Sequence, residues 1–253
     1  MRAAPSVDAL YADVVAAGED ARRVREFLGR PELDESLLVA LLRRAVPLRL
    51  LEMVANAPPW CERPSALGAV VLNPRTPRLL SLRLLPSLYW RDQAEAAANA
   101  RVTNAVRVRA EALLKERLTE LRLGDRIALA RIATPPLLGP LLSDADGKVV
   151  QGGLDNPRLR EEDLRLALRA IPPSRTLIER TAASSRWREC YGVRLELVLQ
   201  PQTPLAIALA QVSSLVPRDL RRVAEAPGLA PLVQAAALRV AREGPRSARA
   251  EDP

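Results

Sequence analysis

"VLNPRTP" (residues 71–77) returns as "VLQPQTP" (residues 198–204), 127 positions further along the chain, and the reading of this phrase decides the fold. A proline disfavours helical geometry at the residue before it, so a helix through "ALGAVVL" (66–72) must stop at Asn73, ahead of Pro74. Thr76 then reads as an N-cap that accepts from the free backbone NH groups of a new helix, with Pro77 at its first position, where a missing NH costs nothing. In the second copy Gln200 precedes Pro201, and Thr203 with Pro204 repeats the start. Two helices joined by so short a corner pack against each other, so each phrase marks a helical hairpin.

The agreement spreads outward from the corner. At the 127-residue offset Trp60 meets Trp187, Glu62 meets Glu189, Ser87-Leu88 meets Ser214-Leu215, and Arg91-Asp92 meets Arg218-Asp219. Upstream the offset is 126, pairing Val24 with Val150, Pro31 with Pro157 and Leu38 with Leu164. Residues 19–114 are thus duplicated as 145–241. Prolines 31, 74, 157 and 201 also mark a finer unit of about 42 residues, the spacing of two-helix solenoid repeats. Where a corner is due near residue 116, "VTNAVRVRAEALLKERLTEL" reads as one long helix. The expected fold is all-α: a right-handed α-solenoid of stacked helical hairpins, internally duplicated. Its expected parts are a first half (1–114), a connecting helical segment (115–144), a second half (145–243) and a frayed tail (244–253) with no apolar face. "SLRLLPSL" and "YGVRLELVLQ" have the look of strands, but their place in the repeat assigns them to helices.

The "NP.TP..LL..L" and "D..V...L.NP.L" phrases resemble those of HEAT-like and leucine-rich-repeat-variant α-solenoids, over nearly the whole chain. That resemblance implies short helices stacked side by side and a role in binding other macromolecules. Arg91-Asp92 and Arg218-Asp219 loosely echo the Asp and Arg of HEAT repeats. A member of the leucine-rich-repeat-variant family carries an iron–sulphur cysteine cluster; this chain has only Cys61 and Cys190, so no redox chemistry is carried over.

Composition narrows the function. The 253 residues include 48% hydrophobic and 27% charged side chains, the range of ordinary folded proteins, and only seven aromatics (one Phe, three Trp, three Tyr), so the core must be aliphatic. The net charge of +8 and pI near 10.5 rest almost wholly on Arg, Lys115 and Lys148 being the only lysines. Such a balance favours anionic partners, although Arg-for-Lys usage also follows from coding bias. There is no His, which removes the commonest general base and metal ligand together. No cofactor or metal is expected. Two cysteines make neither a metal cluster nor a disulfide framework and read as reduced thiols of a cytoplasmic protein. No apolar run approaches the roughly 18 residues of a membrane helix, so no export or membrane segment is expected.

Glu161 and Glu162 stand where a helix begins, and negative charge there answers the helix dipole rather than a substrate. The glycines of "QGGLDN" lack the strand-loop-helix setting of a phosphate loop. Trp60 and Trp187, being duplicated, read as packing residues. Trp90, matched by Pro217, and its neighbour Tyr89 are the candidate anchors for a partner. Arg43, Arg44, Arg107, Arg109, Arg221 and Arg222 are the candidate anion contacts; in "DLRRVAEA" Leu220, Val223 and Ala224 turn inward, which throws Arg221 and Arg222 outward. The expectation is a non-enzymatic scaffold presenting an extended surface to a protein partner. The alternative is a nucleic-acid-binding repeat protein acting through arginines. A HEAT-like DNA-repair glycosylase is a third reading, for which no residue stands out as catalytic acid.

Overall fold

A computed structural model describes residues 6–170 and 174–243; the tail expected at 244–253 lies outside the described residues. The chain is 71% helix, and no strand occurs among the described residues. It divides into two compact units, Met1–Glu120 and Leu121–Pro253.

The first unit holds α1 (Val7–Ala17), α2 (Ala21–Leu28), α3 (Glu35–Leu42), α4 (Leu48–Asn56), α5 (Pro64–Leu72), α6 (Arg78–Leu84), α7 (Trp90–Ala98) and α8 (Asn104–Arg117). Local chemistry sets the ends. Ser6, Asp20 and Asp34 cap α1, α2 and α3 by accepting from backbone NH groups one turn in, and Gly18 closes α1 at a φ of 59° that a side chain would resist. Packing alternates between two rows: α1, α3, α5 and α7 follow one another in contact, while α2 packs on α4 and α6 on α8. Between the rows lies an aliphatic core in which Leu38, Leu41, Leu42, Leu50, Leu51, Val54 and Val70 lose all contact with solvent.

The second unit holds α9 (Leu123–Ile132), α10 (Pro135–Leu142), α11 (Gly147–Leu154), α12 (Glu161–Leu168), α13 (Arg175–Ala183), α14 (Ser185–Arg188), α15 (Tyr191–Leu199), α16 (Leu205–Val212), α17 (Pro217–Glu225) and α18 (Pro231–Glu243). From α11 onward each helix starts 126 or 127 residues after its counterpart: α11 answers α2, α12 answers α3, α13 answers α4, α15 answers α5, and α16 to α18 answer α6 to α8. The short α14 stands where the first unit has a 3₁₀ turn at Trp60–Glu62. The packing repeats as well, α10 on α12, α11 on α13, α12 on α15, α15 on α17 and α16 on α18. The residues expected as a connecting segment, 115–144, are divided instead: the first of them end α8, and α9 and α10 pack on α11 within the second unit. α9 has no counterpart among the described residues of the first unit.

The corners stop and start helices at the expected residues, but by different bonds. Asn73 and Gln200 take extended geometry ahead of Pro74 and Pro201. Thr76 does not cap the next helix: α6 begins after Pro77 without a side-chain cap, and the Thr76 hydroxyl donates back to the Val70 carbonyl in the last turn of α5. Likewise α16 begins after Pro204 without a side-chain cap, and the buried Thr203 hydroxyl has no partner. With no side-chain oxygen at the helix start, Pro77 and Pro204 set the entry by backbone geometry alone.

The hydrogen bonds that hold each corner come from the residue before the proline. Asn73 Nδ2 donates to the carbonyls of Leu42 and Arg44 at the end of α3, at 2.5 and 2.8 Å, while its Oδ1 accepts from Arg75 N. Gln200 Nε2 donates to Leu168 O at 2.7 Å, and Asn156, one finer repeat earlier, donates to Ala130 O and Ala133 O at 2.8 and 3.1 Å. Each amide side chain ties the hairpin it ends to the one before. Trp60 and Trp187 do the same from the helix side, donating to Leu28 O and Leu154 O at 3.1 and 2.9 Å while buried.

Candidate functional site

Each row of helices presents a face, and side chains left without partners there are the candidates for function. In the first unit, α2, α4 and α6 enclose a groove of about 580 Å³. Its lining includes Met53, Leu79, Leu80 and Pro77 on the apolar side and Arg25, Arg49 and Arg83 among the charged groups. Leu79 is 74% exposed, so most of its apolar surface stays in contact with water among the described residues. Arg49 reaches Glu52 and Arg83 reaches Asn56 Oδ1, whereas Arg25 has no ion pair. At the equivalent place in the second unit Arg180 replaces Met53 and its guanidinium lies 2.9 Å from where a Cβ on Gly147 would be, so the space is filled.

The other row carries a second groove in both units, at one register. In the first unit it is a cavity of about 370 Å³ between α3, α5 and α7, lined by Arg43, Ser65, Asp92, Glu95, Asn99 and Arg101 among others. Asp92 lies over Gly68, where a Cβ would stand 3.0 Å from its carboxyl carbon, and its carboxylate has no hydrogen-bond or ion-pair partner. Burial, and then the charge of Glu95, push its pKa above the ordinary 3.8. In the second unit the equivalent Asp219 accepts from the Tyr191 hydroxyl, which in turn accepts from Val216 N. Burial and then that hydrogen bond raise the Tyr191 pKa.

Between α15 and α17 the second unit's groove is larger, about 690 Å³, and a smaller recess that shares Glu196 and Leu199 with it continues past Leu168 at the end of α12, Arg169, Gln200 and Pro201. Glu196 on α15 is buried at its centre, with 5% of the side chain exposed, where the first unit has Ala69. It accepts from Arg165 Nη2 at 3.1 Å, from Arg169 Nε at 2.7 Å and from Arg169 Nη2. Burial raises the pKa of Glu196, but the hydrogen bonds and charges of Arg169 and Arg165 together outweigh it, so its carboxyl lies below the usual range. The same groove is lined by Arg218, Arg221 and Arg222 of α17, all exposed and none with an ion pair among the described residues.

These grooves gather some of the sequence candidates and leave others out. Arg221 and Arg222 share one groove, and Arg43 lines its first-unit equivalent. Arg44 is engaged elsewhere, donating to Asp8 at 2.7 Å and lying over the Tyr11 ring. Arg107 bonds Asn104 on its own helix, and Arg109 faces Glu116 at 3.5 Å. Tyr89, 66% exposed, and Trp90, half-buried with Arg91 over its ring, lie outside all of these grooves. The sequence reading missed Glu196, Arg165, Arg169 and Leu79. Glu196 carried a signal, being an acid within the otherwise apolar run "LELVL" of a helix that the repeat places in the core. Leu79 carried none, since a surface leucine in a Leu-rich helix looks like a core one.

Among the described residues no group of three or more Cys, Asp or Glu side chains is arranged to hold a metal ion. Cys61 and Cys190 are unpaired; burial, then the charge of Glu161, raise the Cys190 pKa, which works against thiolate chemistry. No described helix is long and apolar enough to cross a membrane. No protein-family model matches the chain, and neither a curated protein nor a solved structure is significantly similar to it.

Proposed function

We propose that this chain is a non-enzymatic helical-repeat scaffold of the α-solenoid kind, with the right-handed stacking such repeats adopt, and that it binds a protein partner. The observation that carries the reading is the groove across α2, α4 and α6, which is lined by the exposed Leu79 and the half-buried Met53 and Leu80 together with three arginines. Alternating rows of short helices make such faces cheaply, because each hairpin is stabilised by its neighbours and its outer side chains stay free for binding. Leu79, Leu80 and Met53 offer seats for two or three aliphatic anchors, and Arg25 and Arg83 favour acidic residues beside them. The occupant that matches is an amphipathic segment with leucine-type anchors and acidic flanks. A cytoplasmic setting accords with two unpaired thiols.

Panning a random peptide library displayed on phage against the purified chain tests this reading. The expected result is an enriched family with spaced aliphatic residues and acidic flanks, whose synthetic members lose about 30-fold in affinity on Leu79→Glu, the scale of a hot-spot loss of about 2 kcal/mol. Because Leu79 is exposed, the variant should keep its helical circular dichroism. An enriched family that binds the variant equally well, or no enrichment, would refute the assignment.

A further inference from the structure

We propose that the groove between α12, α15 and α17 is a second binding site, for the phosphate backbone of duplex nucleic acid. The case begins with what the two units do not share. Equivalent positions to Arg165, Glu196, Arg221 and Arg222 are Val39, Ala69, Ala94 and Glu95, so the first unit closes the same helix contacts without these charges. A buried ion pair is commonly replaceable by apolar groups at no loss of stability. The fold therefore does not require the Arg165–Glu196–Arg169 cluster, and its effect is on the groove: one buried carboxylate orients two guanidinium groups and leaves a positive charge over.

α17 adds three more. Arg218, Arg221 and Arg222 stand three and four positions apart, on one side of the helix, exposed and without an ion pair among the described residues. The lining sets Arg169, Arg218, Arg221 and Arg222 against Glu196 and Glu225; Arg165 reaches Glu196 from α12, next to Glu161 at Gly192, and Asp219 on α17 accepts from Tyr191. Guanidinium forks pair with phosphate oxygens two bonds at a time.

The lining selects among anions. Its apolar atoms come from Leu168, Leu199, Ala226 and two prolines, with no exposed leucine or aromatic ring to seat the anchors of a peptide. Single strands are held chiefly by stacking bases on aromatic rings. In this unit Trp187 is buried and Tyr191 is tied to Asp219 and Val216. A duplex, which presents phosphates and needs no stacking, matches best.

Fluorescence anisotropy of the full chain with a labelled duplex of roughly 20 base pairs, at about 50 and about 200 mM salt, tests the proposal. Three phosphate contacts predict an affinity drop of about 40-fold over that range. Arg218→Ala with Arg221→Ala and Arg222→Ala should weaken binding at least tenfold at the lower salt. Arg75→Ala with Arg78→Ala and Arg239→Ala removes the same charge at exposed positions outside the groove, and should weaken it less than threefold. The proposal is overturned by absence of wild-type binding at the lower salt, or by equal losses in the two triple variants, which would reduce binding to net charge. It is also overturned if polyglutamate displaces the probe as well as unlabelled duplex does, since the groove would then serve an acidic protein.

Discussion

Asp92 and Asp219 occupy the same place in two copies of one architecture, yet Asp219 receives the Tyr191 hydroxyl and Asp92 receives nothing. Between Ala69 and Glu196 the contrast runs the other way, with an inert contact in the first unit and a buried charge in the second. By contrast, the two buried tryptophans make the same backbone bond in both, and the corner amides share one, to Leu42 O and Leu168 O, with Asn73 adding a second to Arg44 O. Side chains that satisfy another segment's buried carbonyls are costly to replace, because a carbonyl left without a donor pays its desolvation in full. Side chains that only face a groove carry no such penalty and are free to diverge. The comparison therefore separates the positions that hold the repeat from those that give each unit its surface.

The largest effect should come from the first kind. Asn73→Ala strips donors from two carbonyls, those of Leu42 and Arg44, and is expected to cost about 2–4 kcal/mol. Gln200→Ala strips one, from Leu168, in a half-buried setting, and should cost about 1 kcal/mol. Urea unfolding followed by circular dichroism measures both. Equal losses would mean that the corner is held by its prolines and not by its amides.

That hierarchy also explains what the sequence made legible. Prolines and tryptophans act through backbone geometry and buried area, so their repetition exposed the duplication and the helix boundaries before any coordinates. The Thr76 role failed because a threonine at a helix-to-helix corner can serve either the carbonyls of the helix that ends or the NH groups of the one that starts, and here its hydroxyl goes to the carbonyl of Val70. Groove residues were harder. Arg221 and Arg222 were visible from the apolar period of α17, but their sharing a groove with Glu196, the acceptor of Arg165 and Arg169, depends on which helices share a face. Tyr89 and Trp90 drew notice as rare aromatics, a property of composition that says nothing about where a groove forms.

A smaller effect would sharpen the contrast at Glu196. Glu196→Ala alone leaves Arg165 and Arg169 without their acceptor, but their side chains are 33% and 52% exposed and regain water, so the cost should be about 1–2 kcal/mol. Adding Arg165→Val recreates the first unit's Ala69 and Val39 and should return stability to within about 1 kcal/mol of wild type. If the double variant is less stable than the single one, the cluster holds the fold and the argument for the groove fails with it. The pH dependence has a definite sign. The depressed pKa of Glu196 contributes stability that is present above its ordinary value of 4.5 and lost as pH falls through the folded one. Wild type and the double variant should therefore converge in acid.

The smallest effect, and the sharpest comparison, comes from making one substitution twice. Asp92 and Asp219 both lie in the first turn of their helices, so Asp→Asn removes the same favourable interaction with the helix dipole from each. What differs is the remainder. At Asp219 the change weakens the charge-assisted bond from Tyr191, a loss. At Asp92 it relieves a carboxylate that burial and Glu95 disfavour, a gain that solvent screening keeps below about 1 kcal/mol. Because the folded pKa of Asp92 is raised, the wild-type carboxyl stabilises the fold only while protonated, and that contribution disappears as pH rises from 3.8 through the folded value. Asp92→Asn should therefore gain on wild type as the pH climbs through that window. At pH 7 the two variants should differ by about 1 kcal/mol in thermal unfolding, with Asp219→Asn the weaker. Equal melting temperatures at pH 7 would show that the Tyr191 hydroxyl and the burial of Asp92 contribute nothing measurable, and that the two units treat this aspartate alike.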